Sequence, residues 1–109
     1  MFVAMNCFSV VKGKETEFEV AWRQRESYLN NVPGFVRFAL LKGESNGEYV
    51  SHSTWSSRDA FVAWAQSPAF TMAHRQGSLQ GILQGPPVLK TYEALVEQET
   101  LRRLESDSA

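Results

Sequence analysis

A histidine stands where an amphipathic helix would carry an apolar side chain. In the segment 68–77, Phe70, Ala73 and His74 are spaced as i, i+3 and i+4, so they share one face of a helix. Neutral imidazole is the commonest protein ligand for metal ions, and a single histidine is enough to hold haem iron. His74 is therefore a candidate iron ligand. A core histidine hydrogen-bonded to one backbone carbonyl would show the same spacing.

Two other residues are unusual for their predicted surroundings. Phe61, Trp64 and Ala65 have helical spacing in the preceding run, so an indole and an imidazole from consecutive short helices are predicted to face the interior. Asn6 lies in the middle of an apolar strand, where a buried amide is costly without partners. If Asn6 faces the helices, its NH2 group can donate to a ligand oxygen. Trp64 alone is typical of a core, but the three residues together indicate a pocket.

These residue types favour haem over zinc. A mononuclear zinc site needs three or four ligands at recognisable spacing, and the other histidine, His52, lies mid-strand without a partner motif. A haem needs one protein ligand and a large apolar slot, and an arginine can pair with its propionates. Arg25 lies on the apolar stripe of the first predicted helix, although pairing with Glu26 is the simpler explanation. The candidate walls of the slot are Phe61, Trp64, Phe70, Met72 and the aromatic residues of the first predicted helix.

Other catalytic chemistries have no support in the sequence. Cys7 follows Asn6, so it is predicted to face the opposite side of the sheet, and without a histidine partner it is typical of a small buried hydrophobe. The sequence has no nucleophile elbow, phosphate-binding glycine loop, CxxC pair or dinucleotide fingerprint. Hydrolase, kinase and flavin-binding functions are therefore not indicated.

The bulk composition describes one folded domain. The chain has 109 residues, of which 43% are hydrophobic and 12% aromatic, enough for a real core. Its net charge of −1, without a basic block, gives no electrostatic support to nucleic-acid or anionic-membrane binding. No stretch approaches membrane-spanning length, and a single cysteine cannot form an internal disulfide, which fits a reducing compartment. We expect a cytoplasmic protein.

The pattern along the chain predicts the order β-α-β-β-α-β. Strands are expected over 2–11, 35–42, 48–55 and 88–96, and the first helix should run from after Lys14 to about Leu29. The second helix should begin at 56–59, with Ser56 and Asp59 placed as an acidic capping box. It should break at Ser67-Pro68 and end near Gly77, followed by a glycine- and glutamine-rich loop over 77–87.

This order predicts a ferredoxin-like α+β sandwich, a four-stranded antiparallel sheet with both helices on one face. The first two strands are apolar on both sides, so the face without helices should also be covered. A second copy of the chain is the simplest cover. We therefore expect a homodimer that packs sheet against sheet, a dimeric α+β barrel.

The chain resembles the antibiotic biosynthesis monooxygenase superfamily and, within it, the IsdG-type haem-degrading monooxygenases. The resemblance covers roughly residues 2–96. Its general part is Val-Pro-Gly-Phe at 32–35 and Trp-x-Ser-x-x-Ala-Phe from residue 55, and its more specific part is the set Asn6, Trp64 and His74. In the haem-degrading branch, the histidine is the proximal iron ligand, and the asparagine and tryptophan line the distal haem pocket. The resemblance therefore implies these roles for His74, Asn6 and Trp64. Arg25 corresponds to an arginine found near the haem in some members.

The resemblance implies that haem is both prosthetic group and substrate. His74 would hold the iron, Asn6 would hydrogen-bond the reacting oxygen, and Trp64 would press on the porphyrin. O2 and electrons from an external donor, without a flavin, would open the ring and release iron. It further implies a single domain of this family over 1–97 and a charged tail over 98–109, which has the composition of a short exposed helix.

Two alternatives share the same fold. Other members of the superfamily are cofactor-independent monooxygenases of quinols or polyphenols, in which the reduced substrate itself activates O2. A non-catalytic haem-binding module is the other alternative. Because fold alone does not determine function, the three are separated by chemistry: haem bleaching, metal-free O2 consumption, or a stable haem complex.

Overall fold

The computed structural model describes residues 1–25, 29–75, 79 and 81–99, with the backbone alone at 72–75. The predicted order of elements is confirmed, with the second helix in two pieces. The bounds are β1 (Phe2–Ser9), α1 (Glu15–Gln24), β2 (Phe35–Lys42), β3 (Glu48–Trp55), α2 (Arg58–Ala65), α3 (Pro68–Arg75) and β4 (Val88–Glu93).

The four strands form one antiparallel sheet in the order β2-β3-β1-β4, which is the ferredoxin-like order. Phe2 of β1 packs on Phe61 of α2 with ring centroids 5.6 Å apart. Phe8 of the same strand packs on Phe18 of α1 at 5.4 Å. Because residues separated by an even number share a strand face, α1 and α2 cover the same side of the sheet. The predicted ferredoxin-like α+β sandwich is confirmed.

The other side of the sheet carries apolar side chains on which no helix of the described residues packs. Cys7 lies on this side, opposite to Asn6, as predicted. His52 lies there too, opposite Met5. Several members are well exposed, including Leu41 at 45% and Val88 at 55%. We call the following residues the opposite-face patch: Val3, Met5, Cys7, Ala39, Leu41, Val50, Val88 and Tyr92.

The first helix is shorter than the sequence predicts. It ends at Gln24, and Arg25 has extended backbone angles (φ −70°, ψ 129°), while its N–H donates to the carbonyl of Trp22. The prediction of a helix to about Leu29, with Arg25 on its apolar stripe, is therefore wrong. The guanidinium of Arg25 instead lies over the ring of Trp22, 4.5 Å from its centroid. This contact draws the side chain back along the helix.

The second helix breaks where the sequence predicts. The hydroxyl of Ser67 donates to the carbonyl of Trp64 at 2.6 Å and accepts from the N–H of Phe70 at 3.3 Å. Pro68 is the first residue of α3, a position that needs no N–H donor. A single serine thus satisfies backbone groups from the end of α2 and the start of α3.

The start of α2 differs by one residue from the prediction. Ser57, not Ser56, is the N-cap, and its hydroxyl accepts from the N–H of Ala60 at 3.1 Å. The backbone N–H of Ser56 donates to the carbonyl of Gly34 at 2.8 Å, which joins Ser56 to the turn before β2. The helix begins after the next residue, Ser57.

Two strands are shorter than predicted. β1 ends at Ser9, with Val10 in an isolated bridge to Leu83, and β4 ends at Glu93 rather than Val96. Val96 is 90% exposed, so no packing holds it in the sheet. Within the described part of the chain, no helix is long and apolar enough to cross a membrane.

Candidate functional site

The helix-facing side of the sheet has a centre of small and polar side chains. Along the inner strands β1 and β3, Ala4 pairs with Ser53 and Asn6 with Ser51. All four share the side that faces the helices, because they lie in phase with Phe2 and Phe8. The prediction that Asn6 shares a face with Phe2 and Phe8 is confirmed. We call Ala4, Asn6, Ser51 and Ser53 the sheet floor.

At one end of the floor, aromatic rings from the sheet meet α2 and α3. Trp55 is fully buried, and its ring lies 5.3 Å from that of Trp64. Trp64 in turn contacts Phe70 of α3 edge to face at 4.8 Å. Such edge-to-face pairs are favoured by the charge distribution of aromatic rings. The members of this Trp55 cluster are Phe2, Phe35, Trp55, Phe61, Trp64 and Phe70.

At the other end of the floor, a second set of rings packs under α1. Phe18 is fully buried and lies 4.6 Å from Tyr49. Trp22 stacks on Phe38 at 5.7 Å with an interplanar angle of 18°, and the Arg25 guanidinium covers its ring. The members of this Phe18 cluster are Phe8, Phe18, Trp22, Phe38 and Tyr49.

Arg25 is half-buried at the edge of this cluster. Desolvation lowers its pKa from the ordinary value. An arginine side chain remains protonated at neutral pH all the same, because its unperturbed pKa is so high. The chain therefore holds a partly desolvated cation against an aromatic face, which strengthens its attraction to an anionic group.

The two serines of the floor differ in their hydrogen bonds. Ser53 accepts from the indole N–H of Trp55 at 3.0 Å and donates to the carbonyl of Ala4 at 3.3 Å. Ser51 is only 8% exposed, and its hydroxyl has no hydrogen-bond partner among the described residues. The side-chain amide of Asn6 likewise makes no hydrogen bond to any described residue. The floor thus presents a hydroxyl and an amide that make no side-chain hydrogen bond to any described residue.

A cavity of about 470 Å³ lies on the outer side of the Trp55 cluster. Trp64 forms part of its wall, together with the turn at 31–34 and one face of α2. Gly34 allows this turn to approach closely, since its φ is +81° and a Cβ there would clash with the side chain of Ala60. Asn6 is not among the lining residues, so this cavity is separate from the sheet floor.

An ionic network fixes α1 to the sheet beside the Phe18 cluster. The hydroxyl of Tyr49 donates to Glu19, and Lys42 lies 3.2 Å from the same carboxylate oxygen. The hydrogen bond from Tyr49 and that from Lys42 lower the pKa of Glu19. Burial and the bond to Glu19 raise the pKa of Tyr49 to about 12. Both partners therefore keep their ordinary charge states at neutral pH.

The structure places the predicted site residues in three locations. Asn6 lies on the floor and Arg25 at the Phe18 cluster, while Phe61, Trp64 and Phe70 belong to the Trp55 cluster. The backbone of residue 74 lies in the last turn of α3. The side chains of His74 and Met72 lie outside the described residues. The predicted roles of all these residues remain predictions.

Sequence reasoning missed Ser51 and Ser53 as parts of this region. The signal for the serines was present, because Tyr49, Ser51, Ser53 and Trp55 alternate in β3 and so share the face of two aromatic residues. In the described part of the chain, no group of three His, Cys, Asp or Glu side chains is placed to hold a metal ion.

Comparison with known proteins identifies the family of this chain. A family model described as antibiotic biosynthesis monooxygenase matches residues 1–76. The chain belongs to the antibiotic biosynthesis monooxygenase family. The predicted family and its monooxygenase class are thereby confirmed. A curated relative from Mycobacterium tuberculosis, named heme oxygenase (mycobilin-producing), is 35% identical over 91 residues, covering 81% of this chain and 84% of the relative.

Solved members of the family include two different chemistries. The heme-degrader MhuD of M. tuberculosis, solved with two hemes in its active site, superposes with a TM-score of 0.74 at 29% identity, over 91% of this chain and 100% of that one. SnoaB of Streptomyces nogalater, a cofactor-independent oxygenase, superposes with a TM-score of 0.65 at 26% identity, over 92% and 95%. The family membership alone therefore leaves the substrate open.

Proposed function

We propose that this protein is a haem-degrading monooxygenase that binds haem and opens the porphyrin with O2 and external electrons, releasing iron. The observation that carries the proposal is the polar centre of the sheet floor, where the Asn6 amide makes no hydrogen bond to a described residue and lies between two aromatic clusters. A flat, largely apolar ligand with one polar centre suits such a surface. The similarity to a mycobacterial haem oxygenase supports haem as that ligand.

The residues of this chain fit a haem in their chemistry. The amide of Asn6 offers hydrogen-bond donors without a competing partner in the described residues. Trp64 and Phe70 offer aromatic surface, and Arg25 offers a half-buried cation for a propionate. We propose that His74, in the last turn of α3, would hold the haem iron.

When bound, haem supplies the iron that activates oxygen, and the protein supplies binding, orientation and electrostatics. Asn6 would donate a hydrogen bond to an oxygen atom of the bound ligand. Trp64 would limit where the porphyrin can lie, because its own ring contacts those of Trp55 and Phe70. Arg25 orients the ligand through its carboxylates. We further propose that a separate reductase, and no flavin of this chain, delivers the electrons.

We propose that the working form is a cytoplasmic homodimer joined through the opposite-face patch. Leu41, Val88 and Tyr92 are 45%, 55% and 50% exposed in the single chain, and such a broad apolar surface favours association. Sheet-to-sheet packing would form the dimeric α+β barrel and leave the helix-covered side free for ligand. Residues 1–97 would form the enzyme domain, with 98–109 as a charged tail.

A hemin titration followed by ascorbate in air tests the proposal. We expect a saturable Soret band at one hemin per chain, which then bleaches to the spectrum of an open tetrapyrrole. His74→Ala should lose the iron-ligation spectrum while the far-ultraviolet circular dichroism is unchanged, because alanine suits a helix. A Soret band that persists in His74→Ala would remove the ligand assignment. A stable complex that never bleaches would contradict degradation and indicate haem binding alone.

The second candidate is a cofactor-independent monooxygenase of a quinol or polyphenol. The superposition on SnoaB at 26% identity favours it, because that protein is a cofactor-independent oxygenase on the same fold. An oxygen electrode separates the two functions. O2 consumption with a hydroquinone in metal-free buffer, together with no Soret shift on hemin addition, would replace the haem proposal with this one.

A further inference from the structure

Ser51 is the cross-strand partner of Asn6 on the sheet floor. The two residues are paired between β1 and β3, and both lie in phase with the rings that pack under the helices. Side chains of directly paired residues on one sheet face have Cβ atoms about 4.5–5.5 Å apart. A hydroxyl and a carboxamide therefore project side by side from the two inner strands.

Ser51 is largely buried as a residue, but its hydroxyl oxygen is not among the fully buried side-chain atoms that lack a partner in the described residues. The residue is 8% exposed, and its hydroxyl forms no side-chain hydrogen bond to any described residue. A hydroxyl in this state can still reach water or a bound ligand, and it contributes no side-chain hydrogen bond to the described part of the fold. No contact between described residues therefore requires a hydroxyl at position 51.

Ser53 provides the contrast within the same strand. It lies two residues further on the same face, but both its donor and acceptor functions are used, by the carbonyl of Ala4 and the indole of Trp55. A structural serine in this strand therefore has visible partners. Ser51 lacks them, and its neighbour Asn6 lacks them too.

We propose that Ser51 and Asn6 act together as a paired polar contact to one oxygen-bearing group of the bound ligand, which makes Ser51 a specificity-determining residue. This proposal rests on the proposed function for one point, the identity of the ligand as haem. The amide NH2 donates, and the hydroxyl either donates or accepts. Together they provide two hydrogen bonds at one point of an otherwise aromatic surface, which favours a ligand with a polar atom at that point.

The test uses a matched pair of variants, Ser51→Thr and Ser51→Val. Both side chains are β-branched and nearly equal in size, so they differ in a hydroxyl against a methyl group. The probe is azide added to the ferric hemin complex and followed by the Soret shift. We expect the azide Kd of Ser51→Val to be about five- to tenfold higher than that of Ser51→Thr, the loss typical of one hydrogen bond. The hemin Kd should change less than about twofold.

The ligand-free protein gives an independent readout. In urea unfolding, Ser51→Val should be about as stable as the unaltered chain, because the hydroxyl makes no hydrogen bond to a described residue that valine would lose. Ser53→Ala is the control and should unfold at lower urea, since it leaves the indole of buried Trp55 without its acceptor. If Ser51→Val destabilises as much as Ser53→Ala does, Ser51 has a structural role and the proposal is overturned.

The design separates this inference from the haem proposal. If the unaltered chain does not bind hemin, the Thr and Val variants are titrated with menadione, a naphthoquinone with carbonyl oxygens, by tryptophan fluorescence. A five- to tenfold weaker Kd for Ser51→Val then supports the paired contact while haem fails as the ligand. Equal Kd values for the two variants, with azide in the hemin complex or with menadione, overturn it. Asn6→Ala should reduce the effect of Ser51→Val, because residues in one contact are not additive.

Discussion

The two faces of the sheet are built from the same strands and differ in what covers them. On the helix-facing side, Trp55 and Tyr49 are almost fully buried. On the opposite side, Leu41 and Val88 are about half exposed, although they are as apolar. Because an antiparallel sheet normally shows water one polar face, the second apolar face indicates a surface made for association. One side of this chain is completed by its own helices, and the other lacks a covering helix within the described residues.

The largest expected effect is on the helix-facing side. Trp55→Ala should lower the free energy of unfolding by about 3–5 kcal/mol, because it leaves a cavity among Trp64, Phe61 and Phe35. Urea denaturation measures this. Val96→Ala, at a residue that is 90% exposed, is the control and should change stability by less than about 0.5 kcal/mol. Equal losses for the two variants would contradict the assigned core.

The next effect is expected on the opposite face. Val88→Lys places a charge in the proposed dimer interface and should weaken dimerisation at least about tenfold, because a buried unpaired ammonium is costly. Light scattering at micromolar concentration measures the mass. Val20→Lys on α1, at a residue that is 40% exposed, is the matched control and should leave the mass unchanged. If the unaltered chain is a monomer, the interface assignment fails.

A pH-dependent effect is expected at the Tyr49 network. The pKa of Tyr49 is raised to about 12 in the folded chain, from 10.0. Between these values the unfolded chain loses the tyrosine proton and the folded chain retains it, so stability must fall as the pH rises. Tyr49→Phe should remove this part of the decline. Urea midpoints measured across that range for both proteins test the assignment, and parallel curves would contradict it.

The smallest effect is expected at the exposed pair Lys14 and Glu17. Their charged atoms are 3.1 Å apart, and the side chains are 44% and 57% exposed. Lys14→Ala should therefore change the free energy of unfolding by less than about 0.5 kcal/mol, since solvent screens such pairs. A loss above about 1 kcal/mol in urea denaturation would contradict this prediction and show that the pair stabilises α1 more than its exposure to solvent indicates.

Much of the fold was predictable because hydrophobic alternation and turn residues act locally. The bounds of β2 and β3 match the prediction residue for residue, and the helix break at Ser67-Pro68 follows from one dipeptide. The end of α1 did not follow, because the backbone becomes extended at Arg25 while the apolar spacing of the sequence continues to Leu29. Apolar periodicity specifies the face of a helix more closely than the residue at which the helix ends.

The candidate site was predictable only in part. Asn6 stood out because an amide is rare in an apolar strand, and its face was correctly predicted. Ser51 did not stand out, because serine is common in strands of small proteins and its lack of a partner is visible only once the strands are paired. A polar residue of a type that is rare in its predicted element can be recognised from the sequence. A polar residue that is unusual only because of its neighbours can be recognised only when the folded structure is known.

The sheet floor also bears on how this family diversifies. Its four side chains project from β1 and β3, the inner strands, whose backbones are held by neighbours on both sides. Exchange of one small residue there alters the chemistry of the surface without moving the scaffold that carries it. A haem degrader and a cofactor-independent oxygenase both superpose on this chain. The same scaffold therefore serves two oxygen chemistries in these relatives.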